Sequence, residues 1–449
     1  MTDSKHTGIS RREALSRMGR IAAGAALTPL LGSLGRADSP DGQCRPNILL
    51  IEADDLGYGD LGCYDGICSS PYLDKLASEG MRLSHFYVAV PLCAPTRVSL
   101  MTGKTPQRTS LIWNPRPMDM EDGLSPDETT IAELLKTAGY HAGLVGKWHL
   151  GYGAKFRPRK QGFDEYFGFL SGSAEYFTHE YRGGRSWMFR NDEPYDEPGV
   201  YMTDLLTREA VSFINRNASK PQPFFLYLAY NAPHGPIQAP EEWKERFGGD
   251  TYKAMVACMD DGIGKVLAAV SRNGIEDNTL VVFFSDNGGV QSAGEDVRGS
   301  NSPLSGGKGT LQEGGIRVPM IARWPGKIPA GKVVDVPAIS MDLFTTFAAV
   351  GGAKPSGNID GKDMMDVLCG RSESLHKVLF WQCKGQEAAR SGELKLLRQE
   401  GRPVRLYNVV QDPAEKTDLS AKYPKTVKAL SAALDQWLAE VKGRVVQTW

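Results

Sequence analysis

The sequence predicts an α/β fold: a large, mostly parallel central sheet sandwiched by helices, followed by a smaller C-terminal α+β domain carrying a short antiparallel sheet. Three observations predict it. Four apolar runs are too short for helices and lack the alternation of a half-exposed strand. Helical patterns separate these runs. Near residue 350 the rhythm gives way to a Gly/Pro-rich stretch and then to short strand-like pieces. Strands covered on both faces read as near-continuous hydrophobic runs, and strand alternating with helix marks the α/β class.

In order, the runs are Asn47–Ala53 (NILLIEA), His141–Val145, Phe224–Tyr230 (FFLYLAY) and Leu280–Ser285 (LVVFFS), each reading as a buried strand. Thr130–Ala138 follows acidic residues and stops before Gly139, and Tyr201–Asn215 and Tyr252–Val270 carry longer helical patterns. Gly351-Gly352 and Lys354-Pro-Ser-Gly357 read as a linker. It separates a main domain over 45–350 from a smaller one over 355–449. In the latter, Lys377–Gln382, Leu394–Leu397 and Val404–Val409 read as strands. A last helix follows Pro424, with Val427, Leu430, Leu434, Trp437, Leu438 and Val441 on one apolar stripe.

The 449 residues are 41% hydrophobic and 23% charged, which excludes a disordered or collagen-like chain. Seven cysteines in this length exclude a small disulfide scaffold, and an odd number cannot pair completely within one chain. The net charge of −1 gives no global pull toward nucleic acid, and no such partner is expected.

Residues 1–37 stand apart from the fold. Arg11-Arg12, then Arg17 and Arg20, precede a weakly apolar stretch, Ile21–Leu34, and Gly35-Arg36-Ala37 ends it in small residues that a signal peptidase reads. The segment resembles a twin-arginine export signal. That implies passage through export machinery to a periplasmic or extracellular destination. The stretch is too short and too interrupted for a good membrane span.

In open α/β sheets, ligands bind beyond the carboxyl ends of the strands. The four runs are followed there by Asp54-Asp55, Gly146-Lys147-Trp-His149, Asn231-Ala-Pro-His234 and Asp286-Asn287-Gly-Gly. Asp54, Asp55, Asp286 and Asn287 form an all-oxygen set that suits a hard cation, Ca²⁺ or Mg²⁺, better than zinc or copper. Taken singly, each pair also reads as a turn or a helix cap. Lys308, in Gly306-Gly-Lys-Gly-Thr310, has small neighbours that allow close approach to a ligand.

The sharpest local feature is Pro91-Leu-Cys93-Ala-Pro95-Thr96-Arg97, continuing to Thr102-Gly103-Lys104. As bare chemistry, Cys93 is either a thiolate held by Arg97 or a buried cysteine opening a helix. Cys-x-Pro-x-Arg followed by Thr-Gly-Lys resembles the signature of the type I, formylglycine-dependent sulfatases of the alkaline-phosphatase-like superfamily. The likeness continues in Gly146-Lys-Trp-His-Leu-Gly151, Ala232-Pro-His234, Ser285-Asp-Asn-Gly-Gly289, Glu313-Gly-Gly-Ile-Arg-Val-Pro319 and Leu406-Tyr-Asn408. It reaches Asp412-Pro-Ala-Glu415 and is nearest the arylsulfatase and N-acetylgalactosamine-6-sulfatase-like branch. Thr96 departs from the pattern, since many members carry serine there.

The resemblance implies a mechanism. Cys93 is oxidised by a formylglycine-generating or maturase enzyme, and the hydrated aldehyde attacks sulfur. Asp54, Asp55, Asp286 and Asn287 hold a cation, usually Ca²⁺. Arg97 steadies the nucleophile, Lys147 and Lys308 hold sulfate oxygens, His149 is the base of the elimination step, and His234 faces the leaving oxygen, with Lys308 sharing that acid role. The implied substrate is a sulfate monoester, most simply on a carbohydrate. A phosphate or phosphonate hydrolase of the same superfamily, and a non-catalytic sugar-binding protein on this scaffold, are the rival readings. Gly162–Tyr201, with Tyr166, Phe167, Tyr176, Phe177, Tyr181, Trp187, Phe189 and Tyr195, reads as an insertion over the active-site mouth. With Cys93 modified, six cysteines remain, and Cys63–Cys68 and Cys369–Cys383 are the pairs nearest in sequence.

Overall fold

The computed structural model describes residues 45–290 and 299–441. The export-signal segment and Cys44 lie outside the described residues. In chain order the strands are Asn47–Asp54 (β1), Met81–Leu83 (β2), Phe86–Tyr87 (β3), His141–Lys147 (β4), Glu165–Phe169 (β5), Met188–Arg190 (β6), Glu193–Pro194 (β7) and Phe224–Pro233 (β8). They continue with Thr279–Ser285 (β9), Met320–Arg323 (β10), Lys332–Val334 (β11), Ala338–Ile339 (β12), Leu379–Cys383 (β13), Gln386–Ser391 (β14), Leu394–Gln399 (β15) and Arg405–Asn408 (β16).

Ten strands form one sheet in the order β11-β2-β10-β9-β1-β8-β4-β5-β6-β7. The five central strands β9, β1, β8, β4 and β5 run parallel, and antiparallel pairs flank them. All four predicted buried strands lie in this parallel block. Their continuous hydrophobicity has a direct cause. Ile48 and Leu50 of β1 enter one core, with Val98, Leu134 and Phe344 from helices on that face. Leu49 and Ile51 enter the other, with Leu73, Leu205 and Val256. Helices Pro71–Glu79, Met202–Asn217 and Thr251–Arg272 cover that second face. The helix Ile131–Thr137 starts with a capping box: the Thr130 hydroxyl accepts from the Glu133 amide (3.2 Å), and the Glu133 carboxylate accepts from the Thr130 amide (2.8 Å). No described helix is long and apolar enough to cross a membrane.

The C-terminal strands β13-β14-β15-β16 form an antiparallel sheet. Strand alternation serves two contacts. Trp381, Ala388 and Leu397 join the main core, whereas Ala389, Leu396 and Leu406 pack against Leu430 and Leu434 of the helix Pro424–Glu440. β14 was not expected from the sequence, because Gln-Glu-Ala-Ala-Arg is rich in helix formers. Hairpin pairing to β13 and β15 overrides that propensity.

A buried ion cluster ties this sheet to the main body. Lys395, fully buried, meets Glu313 at 2.8 Å and Glu415 at 2.9 Å, and Glu415 also accepts from the Glu313 amide and the Ser305 hydroxyl. Burial alone would raise the Glu313 carboxyl, but Lys395, Arg317 and Arg390 outweigh it and hold it at about 2. Replacing Lys395 with methionine leaves two buried carboxylates without their cation and is expected to cost about 3–5 kcal/mol. Because the folded pKa is depressed, this contribution is complete above the ordinary value of 4.5 and is lost as pH falls toward about 2. Urea unfolding at pH 7 and at pH 3 checks it: the gap between wild type and variant should narrow at the lower pH.

Two expectations need correction. Most of residues 162–201 do not lie over the mouth, which takes from this segment Gly172, Ser173, Tyr181 and Arg182. β5 and β6 are strands of the main sheet, and Tyr166, Phe167, Tyr176, Trp187 and Phe189 are buried in the cores, because β5 pairs in parallel with β4 and takes its side chains inward. The cysteine pairs are not formed either: Cys63, Cys68, Cys369 and Cys383 are all free thiols. Cys383 is buried at the end of β13, where burial pushes its thiol up to about 12. Cys63 is held at about 12 by burial and by Asp74.

Candidate active site

The parallel strands all deliver their carboxyl ends to one edge. Asp54 is the last residue of β1, Lys147 the last of β4, Asp286-Asn287 follow β9, and His234 follows β8. The register keeps these ends level: Ala53 faces Ser285, and Gly146 faces Ala229. Gly146, at φ 118°, is required here, since a Cβ would lie 1.9 Å from the Ala229 carbonyl oxygen. Asp55 and His149 turn out of their strands with φ of 67° and 57°, a left-handed conformation that L-residues seldom adopt. Such strain concentrates where a site is over-determined by its surroundings.

Cys93 opens the helix Cys93–Thr102, every residue of which is buried. The Asn114 side chain accepts from the Ala94 amide (3.1 Å) and so caps the first turn. The Cys93 thiol points at Asp54 Oδ1, 3.5 Å away. Burial would raise it, but Lys147 and Lys308 bring it down to about 7.

Arg97 lies one turn further along the helix and is 1% exposed. Its Nη2 meets Glu52 at 2.7 Å and Asp286 at 2.9 Å, and its Nη1 donates to Tyr227 and to the Lys147 carbonyl, both at 3.2 Å. Tyr227 in turn donates to Glu52 at 2.6 Å. Burial lifts the Glu52 carboxyl to about 8, against the pull of Arg97.

The four proposed oxygen donors come together. Asp286 Oδ1 accepts from the Asp55 amide (3.2 Å), and Asn287 Nδ2 donates to Asp55 Oδ1 (2.7 Å). That orientation leaves Asn287 Oδ1 buried without a partner. Lys147 sits on Asp54, and Lys308 on Asp55 at 2.5 Å. Burial raises Asp54 and Asp286, the latter to about 6 with Asp54 adding repulsion; Lys308 and His234 outweigh burial at Asp55 and hold it well below the usual range. Asp54, Asp55, Cys93 and His234 also bring donor atoms within 4.8 Å of one another. Chemistry favours the oxygen set, since His234 is drawn toward its cationic form by Asp55 and Asp54. Three carboxylates plus an orphaned amide oxygen suit a hard divalent cation.

The two histidines are pushed in opposite directions. Burial and the surrounding cations keep His149 neutral, and its Nδ1 has no partner among the described residues. Gly172 packs so closely on this ring that a Cβ would lie 2.5 Å from Nε2. His234 has its Nδ1 2.6 Å from the Gly235 carbonyl and its Nε2 3.6 Å from Asp55. Burial would lower its pKa, but Asp55 and Asp54 raise it.

Cys93, His149, His234 and Lys308 line one cleft of about 470 Å³. The family model described as sulfatase matches residues 46–353. The chain belongs to the sulfatase family. It is 36% identical over 385 residues to the N-acetylgalactosamine-6-sulfatase of Canis lupus familiaris, covering 81% of this chain and 73% of that one. It is 35% identical over 387 residues to the arylsulfatase A of Homo sapiens, covering 78% and 74%. Among solved structures, Ps i-CgsB in complex with k-i-k-neocarrahexaose superposes with a TM-score of 0.82 at 38% identity, over 88% of this chain and 92% of that chain. The chain is thus a sulfuric ester hydrolase with the alkaline-phosphatase-like fold.

In this sulfatase all ten residues picked from the sequence converge on one edge of the sheet. The sequence reading missed Glu52 and Tyr227, which hold Arg97 from inside β1 and β8. The signal was there: a carboxylate within NILLIEA and a hydroxyl within FFLYLAY must find partners once buried. It also missed Trp113, Asn114 and Arg116, which line the cleft from a loop without any motif. Of the aromatic residues expected at the mouth, Tyr181 alone lines it.

Proposed function

We propose that this sulfatase releases sulfate from a sulfated carbohydrate, with a formylglycine made from Cys93 as nucleophile and Ca²⁺, or Mg²⁺, held by Asp54, Asp55, Asp286 and Asn287. The observation that carries it is the setting of Cys93: at the floor of the cleft, beside buried carboxylates and facing Lys147 and Lys308. Oxidised and hydrated, residue 93 supplies a hydroxyl nucleophile whose ester collapses back to the aldehyde; a cation held by Asp54, Asp55, Asp286 and Asn287 would supply polarisation of a sulfate oxygen. Lys147 and Lys308 neutralise sulfate oxygens as charge builds. Arg97, immobile between Glu52 and Asp286, fixes the nucleophile. Neutral His149 accepts a proton during elimination, and His234, drawn toward its cationic form by Asp55 and Asp54 and with Lys308 beside it, faces the leaving oxygen.

The sugar in the Ps i-CgsB complex and the names of the relatives support a carbohydrate substrate. Cys93 is 2% exposed, so a maturation enzyme would act on it before the chain closes. Residues 1–37 support export to the periplasm or beyond as a further part of this reading.

The test is sulfate release from an aryl sulfate and a panel of defined sulfated oligosaccharides, with the matched phosphate esters alongside. Sulfate esters should be turned over with the higher kcat/KM. Chelation is expected to lower turnover by at least about tenfold, and Ca²⁺ should restore it. Unchanged turnover after verified metal removal would reject the cation site.

A further inference from the structure

Arg182 lines the cleft and Lys384 lies beside it over Trp113, and the catalytic centre uses neither cation. Arg182 lines the cleft from a tight turn in which Glu180 and Ser186 form a bridge and the Tyr181 amide donates to the Arg185 carbonyl (3.2 Å). Arg182 adopts φ 52°, and its guanidinium lies over the Tyr181 ring, 5.3 Å from the centroid. Lys384 arrives from the far end of the chain, in the turn between β13 and β14, with φ 49°. Its ammonium lies 5.4 Å from the centroid of Trp113, a ring that lines the cleft. It also lies 3.1 Å from the point a Cβ on Gly309 would occupy, next to Lys308.

Arg182 and Lys384 are exposed, and among the described residues neither has a carboxylate partner, whereas Arg116 at the same mouth is neutralised by Asp119 (2.8 Å) and Asp122 (3.5 Å). Among the described residues no carboxylate lines the cleft. Two non-glycine residues in the left-handed region, each with its cation laid on an aromatic face, are held rather than free. In the proposed function Lys147 and Lys308 take the scissile sulfate at the floor, and Arg97 is held by Glu52 and Asp286, which leaves these outer charges for another anion.

We propose that Arg182 and Lys384 form a subsite for a second anionic group of the substrate, a sulfate ester or a uronate carboxylate, with Trp113 and Tyr181 offering faces to the sugar between. This rests on the sulfatase reading and narrows its substrate to a glycan carrying at least two anions.

The experiment compares kcat/KM on one disaccharide backbone bearing a single sulfate, the same with a second sulfate, and the same with a uronate. Wild-type turnover of the single sulfate tests the sulfatase reading by itself. The subsite is tested by the preference ratio, doubly over singly anionic. Arg182→Gln with Lys384→Gln should reduce that ratio about ten- to a hundredfold, mainly through KM. Which second group, sulfate or uronate, gives the larger wild-type ratio identifies the anion. A ratio equal in wild type and double variant overturns the proposal. If the disaccharides bind without turning over, calorimetry on Cys93→Ala protein decides instead: an unchanged Kd for the doubly sulfated disaccharide on adding the two substitutions overturns it, and a Kd raised by the same factor supports it.

Discussion

Cys93→Ala is expected to lower sulfate release by on the order of 10⁵-fold or more while leaving the fold intact. The side chain lost is small and makes one weak contact, to Asp54 at 3.5 Å. Removing a single buried sulfur costs about 1 kcal/mol, so thermal melting should shift by only a few degrees. The chemistry, by contrast, loses its nucleophile, and no neighbouring group can replace it: Lys147 and Lys308 are engaged by Asp54 and Asp55. Cys93→Ser separates attack from regeneration. A serine hydroxyl can take the sulfuryl group once, but its ester cannot expel sulfate by collapsing to an aldehyde. A single burst followed by stalling is therefore expected, seen as sulfate ester mass on the peptide spanning residue 93. Active wild-type protein should carry the aldehyde or its hydrate on that peptide. Full turnover by protein shown to be entirely thiol would reject the formylglycine.

Arg97→Met is expected to cost as much stability as Lys395→Met and to abolish turnover as well. Arg97 is the one cation between Glu52 and Asp286, at 2.7 and 2.9 Å, and all three are buried. Deleting it leaves two carboxylates in a low-dielectric site, a change that costs about 3–5 kcal/mol. A companion substitution isolates the cause. Adding Glu52→Gln removes one stranded acid, whose carboxyl burial already lifts to about 8, while keeping an acceptor for Tyr227, which now donates to Glu52 at 2.6 Å. The double variant should regain part of the stability in urea unfolding and none of the turnover. If Glu52→Gln recovers no stability in the Arg97→Met background, charge burial is not the cause of the loss.

Much of this centre was legible before the fold was known. Short apolar runs ending in Asp54-Asp55, Lys147, His234 and Asp286-Asn287 announced strands that end in chemistry, because a parallel sheet must place such residues along one edge. The Cys93–Arg97 spacing was legible for a similar reason, being one helical turn. The parts that were not legible have no local signature. Glu52 and Tyr227 are embedded in hydrophobic runs, and their value depends on Arg97 arriving from another element. The aromatic residues of 162–201 suggest a sugar-stacking lid by composition, yet most are core residues because β5 and β6 extend the sheet. β14 was hidden by helix-forming residues whose preference is outweighed by pairing on both sides.

By itself the sequence determined the family, the α/β class, the buried parallel strands and the candidate groups at their ends. These are properties of short stretches: hydrophobic period, strand length and the residue next in line. Only the tertiary structure decided which groups neutralise one another, which histidine is pushed toward its neutral form and which toward its cation, and what lines the mouth. Those depend on pairs such as Arg97 with Asp286, 189 residues apart, and Asp55 with Asp286, 231 apart. Lys384 reaches the cleft only because one face of the C-terminal sheet packs into the main core. The physical reason is that a buried charge takes its protonation state from what surrounds it in space, and chain separation carries no information about that until packing brings the partners together.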